Sequence, residues 1–476
     1  MLSQQVGSRV AILPALGVAM LILAGGASAQ AGPFQWLTGK NQQQQQQQPQ
    51  PQYQQPQPQQ QTGNQGFFPF FGGGRGNRGG NRGNQGGPDL TATPRSDELP
   101  MNDPEAYMIT NPPLGMPTLS SRNIEATKAA IQRYQSIAGQ GGWPTVPAKA
   151  MHPGQRGQEI AILQRRLEIS GDLVGMSVPG EYDAAVVQAV KSFQFRHGLP
   201  ATGKIDSKAM IEALNVPASI RVSQLQASLK RLQSLSANTG SAGRYVVVNV
   251  PSAQVEAVDG GQVASRHAAV VGKPERPTPE ITSKIHEINF NPYWYVPRTI
   301  IHKDLIPKGR AFAARGQDML AAYRMQAFDA AGNPLDPRQI DWNGPAVYNY
   351  NFRQLPQGEN SLGFVKINFP NKDAVYLHDT PLKSLFGKAV RFESSGCVRV
   401  HNVEQLVAWI LRDAPGWNYQ RIASMKHTGE QLDVKVPKAV PIYLAYITGW
   451  GTPDGQVHFG RDIYGIDGTS TTASAY

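Results

Sequence analysis

RFESSGCVRVHN, residues 391–402, holds the single cysteine of a 476-residue chain. The thiol follows three small residues, Ser394, Ser395 and Gly396, and Arg399 lies two positions beyond it, on the same side of an extended strand. VRV, residues 398–400, is a short β-like run, and Asn402 to Gln405 has the pattern of an N-cap opening the helix VEQLVAWIL. Upstream, AVYLHDT, residues 374–380, alternates and carries His378 near its end, nineteen positions before Cys397. Two neighbouring strands ending at one level would bring that imidazole to the thiol.

A lone cysteine matters because of where the chain is expected to go. MLSQQVGSR, then the apolar run VAILPALGVAMLILA, then GGASAQA form the three parts of a secretory signal, with cleavage expected after Ala29. The apolar run is shorter than a spanning helix needs and Pro14 interrupts it, so no stable membrane anchor is expected after cleavage. Arg9 has no twin, which favours the general export route, and no cysteine is placed to take a lipid. One cysteine cannot form an internal disulfide in an oxidising compartment. It is left as an inert buried residue, half of an intermolecular bridge or a reactive nucleophile. A nucleophilic thiol needs a neighbouring base or positive charge, because free cysteine has a pKa near 8.5.

The net charge of +11 (45 Lys+Arg against 34 Asp+Glu) suits anionic lipid, nucleic acid or wall polymer, and export argues against nucleic acid. No His, Asp and Cys cluster has metal spacing, and the Gly-rich tract at 72–87 lacks the strand, Lys and Ser/Thr of a phosphate loop. Neither a metal nor any other cofactor is expected.

Along the chain, residues 1–29 read as the signal. Residues 30–118 read as a disordered tether, rich in Gln and Pro and then in Gly, Asn and Arg, which buries too little apolar surface to fold. Residues 119–150 read as a linker with one helix, SSRNIEATKAAIQRYQSIA. From 151 to 217 the pattern changes. Ile160, Leu163 and Leu167, then Val186, Val190 and Phe193 after Asp183 as a cap, then Met210, Ile211 and Leu214 give three short helices. Residues 218–243 read as a bridging helix with Val222, Leu225, Leu229 and Leu232 on one face. A mostly β domain follows over 244–465, opened by a hairpin or meander turning at Asp259-Gly260-Gly261, and 466–476 reads as a disordered tail. Between Asn291 and Gly363 the β pattern is interrupted by prolines, aromatics and a helical stretch. That insertion, a lid of about 298–360, is either a binding element or a satellite core on Tyr293, Trp294, Tyr295 and Trp342. His302-Lys303-Asp304 within it reads as solvated polar sequence.

Two resemblances follow from these residues. Phe193, Gln194, Gly198, Leu199, Gly203 and Ile205 reproduce the "FQ…GL…G.I" stretch of the peptidoglycan-binding type 1 domain, where such positions serve packing and turns. His378-Asp379-Thr380 followed by Ser394-Ser395-Gly396-Cys397-Val398-Arg399-Val400 is similar to the signature of YkuD-type L,D-transpeptidases. RPTP (276–279) and NPYWYVP (291–297) extend the likeness, and the order of signal, wall-binding domain, lid and catalytic domain resembles the larger YcbB-like members. Ser395 stands where the family usually has histidine, Asp379 where glycine is frequent, and TPE lacks the glycine of T-P-x-G, so that stretch receives no binding role. The implied fold class is α+β and multidomain, a small three-helix wall-binding domain plus a mostly β catalytic domain with an inserted lid.

The resemblance also implies roles. Cys397 would attack the bond between the L-centre of diaminopimelate and D-Ala, with His378 as general base, oriented by the backbone carbonyl of Asp379. Backbone amides around Gly396 and Cys397 would face the oxyanion. Arg399 would pair with a donor carboxylate or brace the fold, Tyr376 would line the pocket or the core, and Ser395 could hydrogen-bond near the thiol. His401 reads as a surface or capping histidine. Peptidoglycan stem peptides are the expected partner in the periplasm, and the acceptor is a second diaminopimelate giving 3→3 cross-links, an amine of an envelope protein, or water. The reading from a different class is a structural wall-binding protein without catalysis.

Overall fold

The computed structural model describes residues 111–237, 239 and 243–467. The signal, the tether up to residue 110 and the tail from 468 lie outside the described residues. Order begins earlier than composition suggested. The Thr118 amide and hydroxyl donate to the Glu256 carboxylate at 2.8 and 2.6 Å, and Leu119 is fully buried. The end of the expected tether is therefore packed, with Pro117 and Thr118 buried and Thr118 held by the Glu256 carboxylate, while Leu114 stays exposed. Helix α1 (Arg122–Gly139) buries Thr127, Ala130 and Tyr134, one face at helical spacing, and is an integral element rather than a linker.

The three expected helices are α2 (Gln158–Ser170), α3 (Ala184–Arg196) and α4 (Lys208–Asn215). Their facing residues Ile160, Leu163, Leu167, Val186, Val190, Phe193, Met210 and Leu214 form one core. Asp183 caps α3 by accepting from the Val186 amide at 2.9 Å. Gln194 organises the following turn, donating to the Lys204 carbonyl at 2.8 Å while accepting from the Gly203 amide at 2.8 Å. Helix α5 (Ala218–Ser236) buries Leu225 and Leu232, with Val222 and Leu229 at the margin.

The β domain is a closed ring. Strands β1 (Arg244–Asn249), β2 (Gln254–Asp259), β3 (Gln262–Gly272) and β4 (Ile281–Phe290) open it, and β2 and β3 meet at the expected Asp-Gly-Gly turn. An inserted subdomain comes next. It holds β5 (Trp294–Tyr295), α6 (Arg298–Ile300), a π-helical turn (Ile301–Leu305), α7 (Ile306–Ala313), α8 (Met319–Ala322), β6 (Met325–Phe328), β7 (Pro334–Leu335) and β8 (Asn351–Gln354). Its sheet, ordered β5-β8-β6-β7, surrounds a separate core that includes Trp294, Leu305, Leu320, Trp342 and Phe352, whereas Tyr295 is 68% exposed. The chain then returns through β9 (Val365–Asn368), β10 (Leu377–His378), β11 (Phe392–Ser394), β12 (Val398–Val400), helices α9 (Val403–Ile410) and α10 (Tyr419–Thr428), and β13 (Leu432–Ala445). The strand order is β11-β3-β12-β10-β9-β4-β13-β1-β2, and the pairing of β2 with β3 closes it.

Alternation along the strands sends Val246, Val248, Ile288, Val365, Ile367, Leu377, Val398 and Val400 into the ring's core, where α9 adds Leu406 and Ile410. The residues between them face outward. Lys366 stands opposite His378 and His378 opposite Arg399, so three outward side chains form a row across β9, β10 and β12. The last hairpin, β14 (Gly449–Gly451) and β15 (Val457–Phe459), packs on α1 and α5 through Trp450, Val457 and Phe459. Ordered chain also runs past the expected start of the tail. Asp467 pairs with Arg231 at 2.6 Å and accepts from the Thr448 hydroxyl. Among the described residues no helix is long and apolar enough to cross a membrane.

Candidate active site

Cys397 sits in the turn that leads into β12, and His378 ends β10, the neighbouring parallel strand whose Leu377 pairs with Val398. Both line a cavity of about 110 Å³ together with Tyr376, Ser394, Ser395 and Arg399. The opposite wall comes from the inserted segment, with Trp294, Pro297, Thr299, Ile300, Ser361 and Leu362. The insertion is thus a satellite core that also supplies one wall of the cavity.

The turn that carries the thiol is built from backbone constraints. Gly396 has φ of +114°, a region costly for any side chain. The Ser394 hydroxyl donates to the Cys397 carbonyl at 2.5 Å and accepts from the Gly396 amide at 3.1 Å. The Gly396 N–H is therefore engaged by Ser394 in this tight turn. A second loop packs against the turn. Thr278 donates to the Gly396 carbonyl at 2.8 Å, its hydroxyl accepts from the Gly272 amide at 2.9 Å, and the Tyr464 hydroxyl donates to the Gly272 carbonyl at 2.6 Å. A Cβ at Gly272 would lie 2.6 Å from the Thr278 amide nitrogen, so only glycine permits this approach. The TPE stretch lines no part of the cavity, and Thr278 is a buttress to the turn that carries Cys397.

Around the thiol, protons and charges are arranged in layers. His378 Nδ1 lies 2.5 Å from the Asp379 carbonyl oxygen, so Nδ1–H donates there and Nε2 is left as the basic nitrogen. The Asp379 carboxylate is occupied elsewhere, by the Phe364 amide at 3.2 Å and by Lys383. The Trp294 indole and the Cys397 sulfur both act on the Tyr376 hydroxyl, and the Tyr376 hydroxyl and backbone N–H both bear on the sulfur. Burial pushes the thiol above its ordinary pKa, while the Tyr376 amide, the Tyr376 hydroxyl, Lys366 and Arg399 all pull the other way. Burial likewise pushes the Tyr376 phenol well up, so it stays protonated as a donor. The Lys366 ammonium lies 4.5 Å from the Tyr376 ring centroid, and burial draws it below its ordinary value against the opposing pull of Cys397. Arg399 is 1% exposed and reaches the same cavity.

Several expectations change here. Asp304 is not solvated, since it forms a largely buried pair with Arg276. Asn402 adopts a left-handed conformation with φ of +48°, and its side chain bonds Gln405 at 3.2 Å instead of capping α9. His401 packs on Phe386 and approaches Asn111 at 3.2 Å, away from the cavity. Neither Lys366 nor the buttressing role of Thr278 is legible in local sequence, because cross-strand register and loop packing, which local pattern does not carry, bring them to the site. The one local signal for Lys366 is its outward place between Val365 and Ile367.

Residues 243–431 match the family model YkuD, described as "L,D-transpeptidase catalytic domain". The chain carries a YkuD-family catalytic domain. Residues 156–210 match PG_binding_1, "Putative peptidoglycan binding domain", so the wall-binding domain precedes the catalytic one as in the YcbB-like architecture. A Haemophilus influenzae protein named "Putative L,D-transpeptidase" is 34% identical over 223 residues, 47% of this chain and 44% of that protein. The chain thus matches less than half the length of that curated relative. Among solved structures, the L,D-transpeptidase of Xylanimonas cellulosilytica is 17% identical, covering 63% of this chain and 100% of that one, with a TM-score of 0.21. The L,D-transpeptidase of Stackebrandtia nassauensis is 14% identical, covering 66% and 99%, with a TM-score of 0.25. Likeness at those scores adds no weight to the fold.

Proposed function

We propose that the protein is a periplasmic L,D-transpeptidase acting on peptidoglycan stem peptides. The observation that supports it is Cys397 set in a walled cavity with His378, Tyr376 and Arg399 inside the YkuD-family domain. The thiol is neutral at rest, because burial outweighs its hydrogen bonds, so it loses its proton as it attacks. His378 Nε2 takes that proton while Sγ bonds the carbonyl carbon at the L-centre of diaminopimelate in a tetrapeptide stem. The carbon–nitrogen bond to D-Ala then breaks, His378 returns the proton to the leaving amine, and a thioester remains on Cys397. In the second half an acceptor amine gives a proton to His378, bonds the same carbon and expels the sulfur, to which His378 passes that proton, restoring the neutral thiol. With the side-chain amine of a second diaminopimelate as acceptor the product is a 3→3 cross-link. Arg399 holds a donor carboxylate, and the Tyr376 hydroxyl steadies the sulfur as it becomes anionic.

The test is incubation of the full chain, and of Cys397→Ala, with disaccharide-tetrapeptide fragments and resolution of the products by mass. A dimer that has lost one D-Ala, absent with the variant, supports transpeptidation. Tripeptide alone turns the reading toward an L,D-carboxypeptidase or an enzyme awaiting a protein acceptor, and no turnover with retained wall binding turns it toward a structural protein.

A further inference from the structure

Arg276, Asp304 and Ser395, three residues far apart in the chain, meet beside the nucleophile turn. The Arg276 guanidinium grips both carboxylate oxygens of Asp304, Nη1 to Oδ2 and Nη2 to Oδ1 at 3.1 Å. Nη1 also donates to the Ser395 hydroxyl at 2.8 Å. The two charged side chains retain only 14% and 12% of their exposure, so water and salt screen the pair weakly.

Each member belongs to a different part of the site. Asp304 lies in the π-helical turn of the inserted subdomain, a distortion of the kind often found at functional positions. Pro307, just beyond, has no N–H to extend a regular helical ladder through that turn. Ser395 precedes Gly396 and Cys397. Arg276 is on the loop whose Thr278 holds the Gly396 carbonyl. The same subdomain also reaches the thiol by a second route, Trp294 to Tyr376 to Cys397.

We infer that Arg276 is a positioning residue, coupling the seating of the inserted subdomain to the placement of the Cys397 thiol. This rests on Cys397 being the nucleophile. Without the Asp304 carboxylate, Arg276 is a largely buried cation lacking its counter-charge, and it relaxes by turning to water and releasing Ser395. Without Arg276, the subdomain keeps its own core but loses the ionic tie to the nucleophile turn, and the wall that carries Trp294 shifts relative to the thiol.

The experiment follows acylation of Cys397 by the carbapenem meropenem, using intact mass for the site and stopped flow for the rate. Rates are expressed per molecule finally labelled, so a loss of folded protein lowers the amount of label and leaves the rate constant alone. Asp304→Asn and Arg276→Met are each expected to lower the maximal rate constant at saturating meropenem roughly 10- to 100-fold, the scale of a misplaced reacting atom. The double variant is expected to be no slower than Arg276→Met, because both remove one link. Arg276→Lys keeps the charge without the fork and falls between. Ser395→Ala, which leaves the subdomain's core and ion pair intact, slows the same step and keeps the test alive if the charge variants fold poorly. Labelling of the unaltered chain with unchanged variant rates, or effects of Asp304→Asn and Arg276→Met that multiply, overturns the coupling alone. An unaltered chain that takes no label at Cys397 overturns the nucleophile reading and the coupling with it.

Discussion

At the scale of single residues, burial holds the Cys397 thiol above its ordinary pKa, so its reactivity toward an acylating probe should rise with pH. Tyr376→Phe removes a donor that lowers the thiol pKa. The fraction of thiolate at neutral pH then falls, and the pH profile of meropenem acylation moves to higher pH, with a loss of about tenfold at pH 7 for one hydrogen bond to an ionised sulfur. Lys366→Met moves the profile in the same direction through charge alone, and the difference from the unaltered chain shrinks as salt is added. A profile unmoved by either change would contradict this picture of the thiol. Cys397, His378, Tyr376 and Arg399 were legible in the sequence because two short alternating runs carry all four. Arg276 and Asp304 were not, since the contacts that unite them with Ser395 span 28 and 119 positions. A charged triplet such as His302-Lys303-Asp304 has the same composition whether it faces water or a buried guanidinium.

At the scale of elements, caps and turns decide what periodicity leaves open. Asp183 was readable as a cap because an acidic residue precedes an apolar run of helical spacing, and in the structure it also accepts from the Val178 amide at 2.8 Å. Asp183→Ala should therefore cost about 1–2 kcal/mol of stability, read as a lower midpoint in urea with an unchanged slope. Asn402 shows the opposite case. The residue type suits a cap, yet the left-handed backbone after β12 turns its side chain to Gln405, and only the three-dimensional path of the chain reveals that. Gly396 has no such ambiguity, with φ of +114°. Gly396→Ala should strain the backbone by about 1–3 kcal/mol and displace the adjacent thiol, so acylation falls while circular dichroism stays that of the folded chain. Full acylation activity in that variant would show that the turn tolerates the strain.

At the scale of the whole molecule, the wall-binding domain is fastened to the ring by a buried cation. Arg391, 5% exposed, donates to the carbonyls of Gly198 at 2.9 Å, Ser252 at 3.2 Å and Ala269 at 3.2 Å. Gly198, one of the residues of the "FQ…GL" resemblance, has φ of +68°, and a Cβ there would lie 2.9 Å from the Ser252 carbonyl oxygen. Arg391→Met should strip these buried acceptors of their donor and cost about 3 kcal/mol, seen as a lower Tm and faster protease cleavage between the domains. Unaltered cleavage would mean that apolar contacts alone hold the domains together. The sequence carried the domain order, since composition and period change where the domains change, but the fastening depends on where Arg391 lands, and an arginine just before the strand that opens at Phe392 offers no hint of it. The central claim, that Cys397 holds the stem peptide as a thioester, is tested most directly by acid-quenching the full chain during turnover with tetrapeptide fragments and mapping the adduct by mass. The account predicts a hydroxylamine-labile acyl group on the peptide containing Cys397, equal to the stem minus D-Ala, absent from Cys397→Ala and scarce in His378→Ala. Release of D-Ala by Cys397→Ala, or an adduct on another residue, would contradict it.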